Sequence, residues 1–186
     1  MATPIYPLVT VDDLQSMPDD GNRYEVIGGE VFMSRAPGLT HQRTSGKLYQ
    51  LLGNYLDANP IGEVLATPGV VLSEIDGVIP DIVFFTNERA KLILSGERII
   101  AAPDLIVEIV SPGSENQRRD RVVKKQLYAR FGVREYWIAD PESKAIEIIT
   151  CNAEAASDSV IFHADDEVNS TVLPGFRFKV SRIFPS

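Results

Sequence analysis

Pro103-Asp104-Leu105-Ile106-Val107-Glu108-Ile109-Val110 is a run of β-branched and apolar residues entered through Pro-Asp and left through Ser111-Pro112-Gly113. It is too short for a helix and too continuously apolar for a strand with one wet face, so it reads as a strand buried on both sides. Glu108 sits in its middle and, by period-two alternation, shares a face with Ile106 and Val110, where a valine would be expected. A carboxylate in that position needs a cation, a metal or a proton. A structural salt bridge is one way to meet the need. A second run, Val78-Ile79-Pro80-Asp81-Ile82-Val83-Phe84-Phe85, has the same character and carries Asp81 at its entry. Taken alone, Asp81 says less, because Pro-Asp commonly opens a strand.

The segment after the Glu108 strand supplies a cation. From Ser114 to Gly132, a helical rotation of about 100° per residue gathers Val123, Leu127, Tyr128 and Phe131 on one face, and Asp120 and Lys124 fall inside it. A lysine turned toward a core calls for a carboxylate, and Asp81 and Glu108 are the candidates within reach. The plainer alternative is a lysine at the stripe's edge that snorkels to water. Asp120, one turn from Lys124, can support it as a pair on the helix. Arg118, Arg121 and Lys125 point the other way and could touch a phosphate backbone, although a solvated basic face has the same pattern. Asp81, Glu108 and Lys124 together are parts for metal-assisted phosphodiester hydrolysis. Hard carboxylate oxygens hold Mg²⁺, the metal polarises the phosphoryl group and acidifies a water, and an ammonium orients that water or offsets charge.

The wording around these residues resembles the PD-(D/E)XK nuclease superfamily, in its bacterial branch of single-domain restriction-endonuclease proteins. The resemblance is carried by Pro80-Asp81, by Leu105-Ile106-Val107-Glu108-Ile109-Val110-Ser111-Pro112, by Arg119-Asp120 with Lys124 and Tyr128, and by Gly132-Val133-Arg134-Glu135-Tyr136-Trp137-Ile138-Ala139-Asp140-Pro141. The opening Arg23-Tyr24-Glu25-Val26-Ile27-Gly28-Gly29-Glu30 and His41 also match that branch, and the similarity runs from around Thr10 to the C-terminus. It implies a restriction-endonuclease-like mixed β-sheet flanked by helices, metal binding by Asp81 and Glu108 with the backbone carbonyl of Ile109, and a catalytic role for Lys124. The superfamily's usual lysine lies two residues after its second acid, where this chain has Val110; the branch resembled here supplies it from the following helix.

Other residues have duller readings beside their functional ones. Glu25 leads into Gly28-Gly29, a two-residue hairpin signal, and can serve as an outer carboxylate near the metal or simply as an exposed strand charge. His41 opens a helix running to about Leu56, where a first-turn histidine is more often a surface or cap-region residue than a ligand; with no second histidine at ligand spacing, zinc is not expected. Ser114 followed by Gln117 fits a capping box better than a phosphate loop. Tyr136 and Trp137 fall in an apolar run and read as core. With histidine only at 41 and 163, no Ser/His/Asp arrangement can be asserted.

The 186 residues, 44% of them hydrophobic, suit one domain spanning 1–186. A single cysteine excludes an intramolecular disulfide framework, and no leader or membrane-length apolar run is visible, so a soluble cytoplasmic protein is expected. The order of elements is a short helix after Thr10, a hairpin, a long helix, strands near Glu63–Ser73, the Asp81 and Glu108 strands, the Lys124 helix and late strands, with Asn152–Ser159 as a loop between them. That order gives an α/β (α+β) layered domain, with a right-handed crossover from the Glu108 strand through the Lys124 helix to the strand at Tyr136. The formal net charge of −8 opposes broad binding of a phosphate backbone. The expectation is therefore a Mg²⁺-dependent (or Mn²⁺-dependent) DNA endonuclease, acting as a homodimer because cutting two strands takes two sites. Against it stand a silent nuclease-fold binding protein and a metal-dependent hydrolase of a small phosphoester.

Overall fold

A computed structural model describes residues 7–111, 113, 118–152 and 155–184. In chain order a short 3-10 turn (Asp12–Ser16) precedes β1 (Arg23–Ile27), β2 (Glu30–Ser34), α1 (Leu39–Ala58), β3 (Gly62–Ala66), β4 (Val70–Ser73), β5 (Asp76–Val78), β6 (Ile82–Thr86), α2 (Asn87–Ile93), β7 (Leu94–Ser95), β8 (Arg98–Ile99) and β9 (Leu105–Ile109). A π-helical stretch, Arg119–Lys124, then runs into α3 (Lys125–Arg130). It is followed by β10 (Glu135–Asp140), β11 (Ala145–Asn152), β12 (Ala155–His163), β13 (Glu167–Asn169) and β14 (Arg177–Lys179).

The strands form two large mixed sheets, ordered β2-β1-β5-β4-β8-β7 and β12-β11-β10-β9-β6-β3, with β13-β14 as a small ribbon. This is the expected restriction-endonuclease-like α+β architecture. The second sheet is covered on both faces, which is why β6, β9 and β10 are so continuously apolar. On one side Leu48 and Leu52 of α1 pack with Ile82, Phe84, Leu105, Val107 and Trp137. On the other, Val70 and Val78 of the first sheet and Leu127 and Tyr128 of α3 pack with Val83, Phe85 and Ile106. As expected, β9 and β10 are parallel neighbours, with the Lys124 helix between them in sequence.

Register places the two acids. β6 and β9 pair antiparallel with Ile82 opposite Val107, Val83 opposite Ile106 and Phe84 opposite Leu105. The ladder ends at Ile82 opposite Val107, and Asp81, the residue just before β6, reaches across to the Ile109 backbone N–H next to Glu108.

The hairpin at Gly28-Gly29 is present, both glycines having positive φ (59° and 79°), the conformation a type I′ turn requires. The long helix is present too, beginning at Leu39, with His41, Thr44, Leu48, Leu52 and Leu56 as its buried stripe. The loop expected over Asn152–Ser159 is a correction: β11 and β12 pair there as a hairpin, from Asn152 opposite Ala155 onward. An outer strand is held by main-chain bonds to one neighbour and needs no apolar run. The capping box at Ser114 and Gln117 lies outside the described residues. No helix among the described residues is long and apolar enough to cross a membrane.

Because α1 is docked by its leucine stripe, Leu52→Ala should lower unfolding free energy by about 2–5 kcal/mol. Chemical denaturation measures this, and a loss below about 1 kcal/mol would mean that the helix is not packed on β6 and β9.

Candidate active site

Lys124 is 2% exposed. Its Nζ donates to Glu108 Oε1 at 2.8 Å and to Glu25 Oε1 at 2.9 Å. Three elements meet at this ammonium: β9 brings Glu108, the π-helical stretch brings Lys124, and β1 of the first sheet brings Glu25. Asp120 and Lys124, four residues apart on the π stretch, are both buried on its inner side. Tyr128 Oη, one turn on, donates to Glu108 Oε1 at 2.9 Å, and Tyr136 Oη donates to the Asp120 carbonyl at 3.0 Å.

Asp81 is not the partner of Lys124. Its Oδ2 accepts the Ile109 backbone N–H at 2.8 Å and lies 3.1 Å from His41 Nε2. Glu25 is not a surface charge: it is 3% exposed, and its Oε1 also accepts the Ile79 N–H. Likewise His41 is buried rather than a surface or cap-region residue. Its signal in the sequence is its place at the head of the stripe continued by Thr44, Leu48 and Leu52.

Glu25, Asp81, Glu108, Ile109, Asp120 and Lys124 line one cleft, together with Arg23, Arg35 and Arg119. Two of those arginines escape sequence reasoning, although Arg23 shares Glu25's face by strand alternation. Among the outward basic residues of the helix, Arg118 is exposed. Arg121 is taken up by Asp140 at 2.8 Å and Glu147 at 3.0 Å, and Lys125 lies 3.7 Å from Glu147.

Four carboxylates, Glu25, Asp81, Glu108 and Asp120, are buried here with Lys124, and Arg119 pairs with Asp120 at 3.4 Å. Fully ionised, these four carboxylates would exceed the two cations by two negative charges in the interior, with Arg23 and Arg35 on the more open rim. Burial, reinforced by Asp81, Asp120 and Glu25 and opposed by Lys124, pushes the Glu108 carboxyl up to about 8. Asp120 is also raised, chiefly by burial. Burial alone would lower Lys124, but Glu108, Glu25 and Asp120 outweigh it and hold the ammonium protonated.

The acids suit a divalent ion. Lys124 and Tyr128 engage one oxygen of Glu108, and His41 and Ile109 engage one oxygen of Asp81. Among the described residues the second oxygen of each has no protein donor, and neither is a sealed-off buried atom. No cluster of three or more His, Cys, Asp or Glu side chains with metal-site spacing occurs among the described residues. Two carboxylates with a main-chain carbonyl match Mg²⁺, which keeps several of its own waters.

Residues 11–181 match the family described as "Uma2: Putative restriction endonuclease". The fold is similar to that of a DUF820 "putative nuclease" from Anabaena variabilis, with TM-score 0.78 and 18% identity over 95% of this chain and 97% of that one. A weaker likeness, with TM-score 0.40 and 17% identity over 62% of this chain and 12% of the other, is to the type IIG restriction endonuclease BpuSI. No curated protein gives a match.

Lys124→Met leaves Glu25 and Glu108 without their cation and should cost about 3–5 kcal/mol at pH 8, as for a broken buried pair. At acid pH the loss should shrink, because Glu108 can take a proton instead; denaturation midpoints at both pH values check this. The sign for Glu108 itself follows from linkage. Its folded value of about 8 lies above the ordinary 4.5, so its stabilisation is complete below 4.5 and is lost as pH rises toward 8. Metal-free parent protein should therefore lose stability relative to Glu108→Gln across that window, and parallel pH profiles for the two would contradict the raised value.

Proposed function

The chain belongs to the Uma2 family, and on that premise we propose that it is a divalent-metal-dependent DNA endonuclease whose site is built on Asp81, Glu108 and Lys124. The observation that carries this reading is one cleft lined by Asp81, at the entry to β6, and Glu108, on the adjacent β9, with a buried lysine bonded to Glu108. Asp81 and Glu108, with the Ile109 carbonyl, are the groups that would hold Mg²⁺ or Mn²⁺. When bound, such an ion polarises the phosphoryl group and lowers the pKa of a water.

The chain's own residues do the rest. Lys124, held protonated between Glu25 and Glu108, offsets negative charge that grows at the phosphoryl group. Glu25 and Tyr128 fix the two ends of the Lys124–Glu108 pair, so neither group has to reorganise during the reaction. Asp120, supported by Arg119, completes the inner wall. Arg23, Arg35 and Arg119 line the cleft and give the phosphodiester backbone local positive charge. Arg118 is the outward residue of its helix that stays available for nucleic acid, whereas Arg121 and Lys125 are engaged with Asp140 and Glu147. Cutting both strands of a duplex takes two sites, so the reading includes a homodimer.

A second reading has one observation in its favour. The net charge of −8 suits a small phosphorylated substrate better than a polyanion. It predicts turnover of small phosphoesters and none of plasmid.

Calorimetric titration with Mg²⁺ and Mn²⁺, run beside plasmid nicking on the same samples, separates these outcomes. The parent protein should bind metal and nick DNA, and Asp81→Ala and Glu108→Ala should lose both. Lys124→Met should lower nicking by roughly 10²–10³-fold, the scale of a lost charge-stabilising donor. Absence of metal binding in the parent sinks the catalytic reading.

A further inference from the structure

The first turn of α1 sets His41 against Asp81, with only 10% and 8% of the two side chains exposed. A 3.1 Å contact between Nε2 and a carboxylate oxygen puts the ring proton on Nε2, donating to Asp81 Oδ2. The same oxygen accepts the Ile109 N–H at 2.8 Å. Two donors from two separate elements thus converge on one oxygen. They fix the plane of the carboxylate, and Oδ1 is the atom left for the cleft.

The other ring nitrogen has a different fate. Nδ1 is buried and has no partner among the described residues, and neither does the buried hydroxyl of Thr44 one turn later. Elsewhere on the same stripe the helix carries Leu48, Leu52 and Leu56. A leucine at 41 would extend that stripe without stranding a polar atom. An unmatched buried nitrogen counts against stability, so packing does not account for a histidine here, and the contact with Asp81 does.

We propose that His41 is a positioning residue that orients Asp81 for metal binding, acting through the Asp81 carboxylate and not on the substrate. The proposal rests on the reading of Asp81 as a metal ligand. Hydrogen-bond partners of ligating groups commonly set metal affinity by about 10–100-fold.

The test measures Mg²⁺ affinity by calorimetry in the parent protein, His41→Leu, His41→Asn and His41→Gln. The leucine and the short asparagine amide cannot deliver an N–H to Asp81 Oδ2, so both should bind Mg²⁺ about 10–100-fold more weakly. The longer glutamine amide can reach that oxygen and should restore most of the affinity. Should His41→Leu fail to fold, the Asn and Gln pair still decides the matter. Ring-nitrogen NMR of the metal-free parent adds an independent readout: the proton should reside on Nε2, and its resonance should move in Asp81→Asn. Parent-like affinity in the Leu and Asn variants, or a proton on Nδ1, overturns the role of His41 and leaves the endonuclease reading intact. A parent protein that binds no Mg²⁺ overturns both.

Discussion

The ammonium of Lys124, held out of water between Glu25 and Glu108, is the contact on which the rest of the molecule's arrangement turns. β1 belongs to one sheet and β9 to the other, so a single cation from the connecting helix ties the two sheets together at the floor of the cleft. Taking a lysine and two carboxylates out of water is costly, and the arrangement holds because each carboxylate accepts from a further donor. Ile79 supplies one of these to Glu25, and Tyr128 supplies one to Glu108. The cleft is a product of this tie, since its acidic wall comes from strands of both sheets.

The parts of the fold that could be read from the chain are those with local patterns. β9 and β6 announce themselves as continuous apolar runs, α1 and the Lys124 helix by their stripes, and the first hairpin by Gly28-Gly29. The anomalies within those patterns, Glu108 and Lys124, led to the site. What could not be read depends on long-range register. Glu25 lies 99 residues from Lys124, and nothing in β1 separates an inward glutamate from a solvated one. Asp81 reads as a partner for Lys124 but belongs to His41 and Ile109, because the entry to β6 lies against β9 and the first turn of α1 and not beside the Lys124 helix. The outward cations of the helix could not show from sequence that Asp140 and Glu147 of the neighbouring strands would claim two of them. The first part of the outer strand β12 reads as loop because main-chain pairing, not side-chain burial, makes it.

The acidic total is a poor guide to the cleft. Asp76, Asp104 and Glu135 are nearly fully buried and serve the fold, accepting main-chain N–H groups from Gly28, Thr86 and Thr171. Each counts toward the net charge of −8 while standing outside the cleft. Within the cleft the interior is acidic and the rim carries arginines. An ion and a phosphodiester can therefore both be attracted at one site, the first by the floor and the second by the edge.

The antiparallel register of β6 with β9 also divides the chain into stretches that tolerate changes in length and stretches that do not. Strand residues alternate faces, so one residue inserted between Ile82 and Phe84, or between Leu105 and Glu108, would separate the two acids or turn one of them toward α1. The turn around Gly96, at the tip of the β7–β8 hairpin, is under no such constraint, because strands on either side hold their positions independently of it. Related chains should therefore drift in length at that tip while keeping a fixed count through both strands. An aligned set of sequences would then show the site as a rigid frame with an elastic loop hung between its two acids.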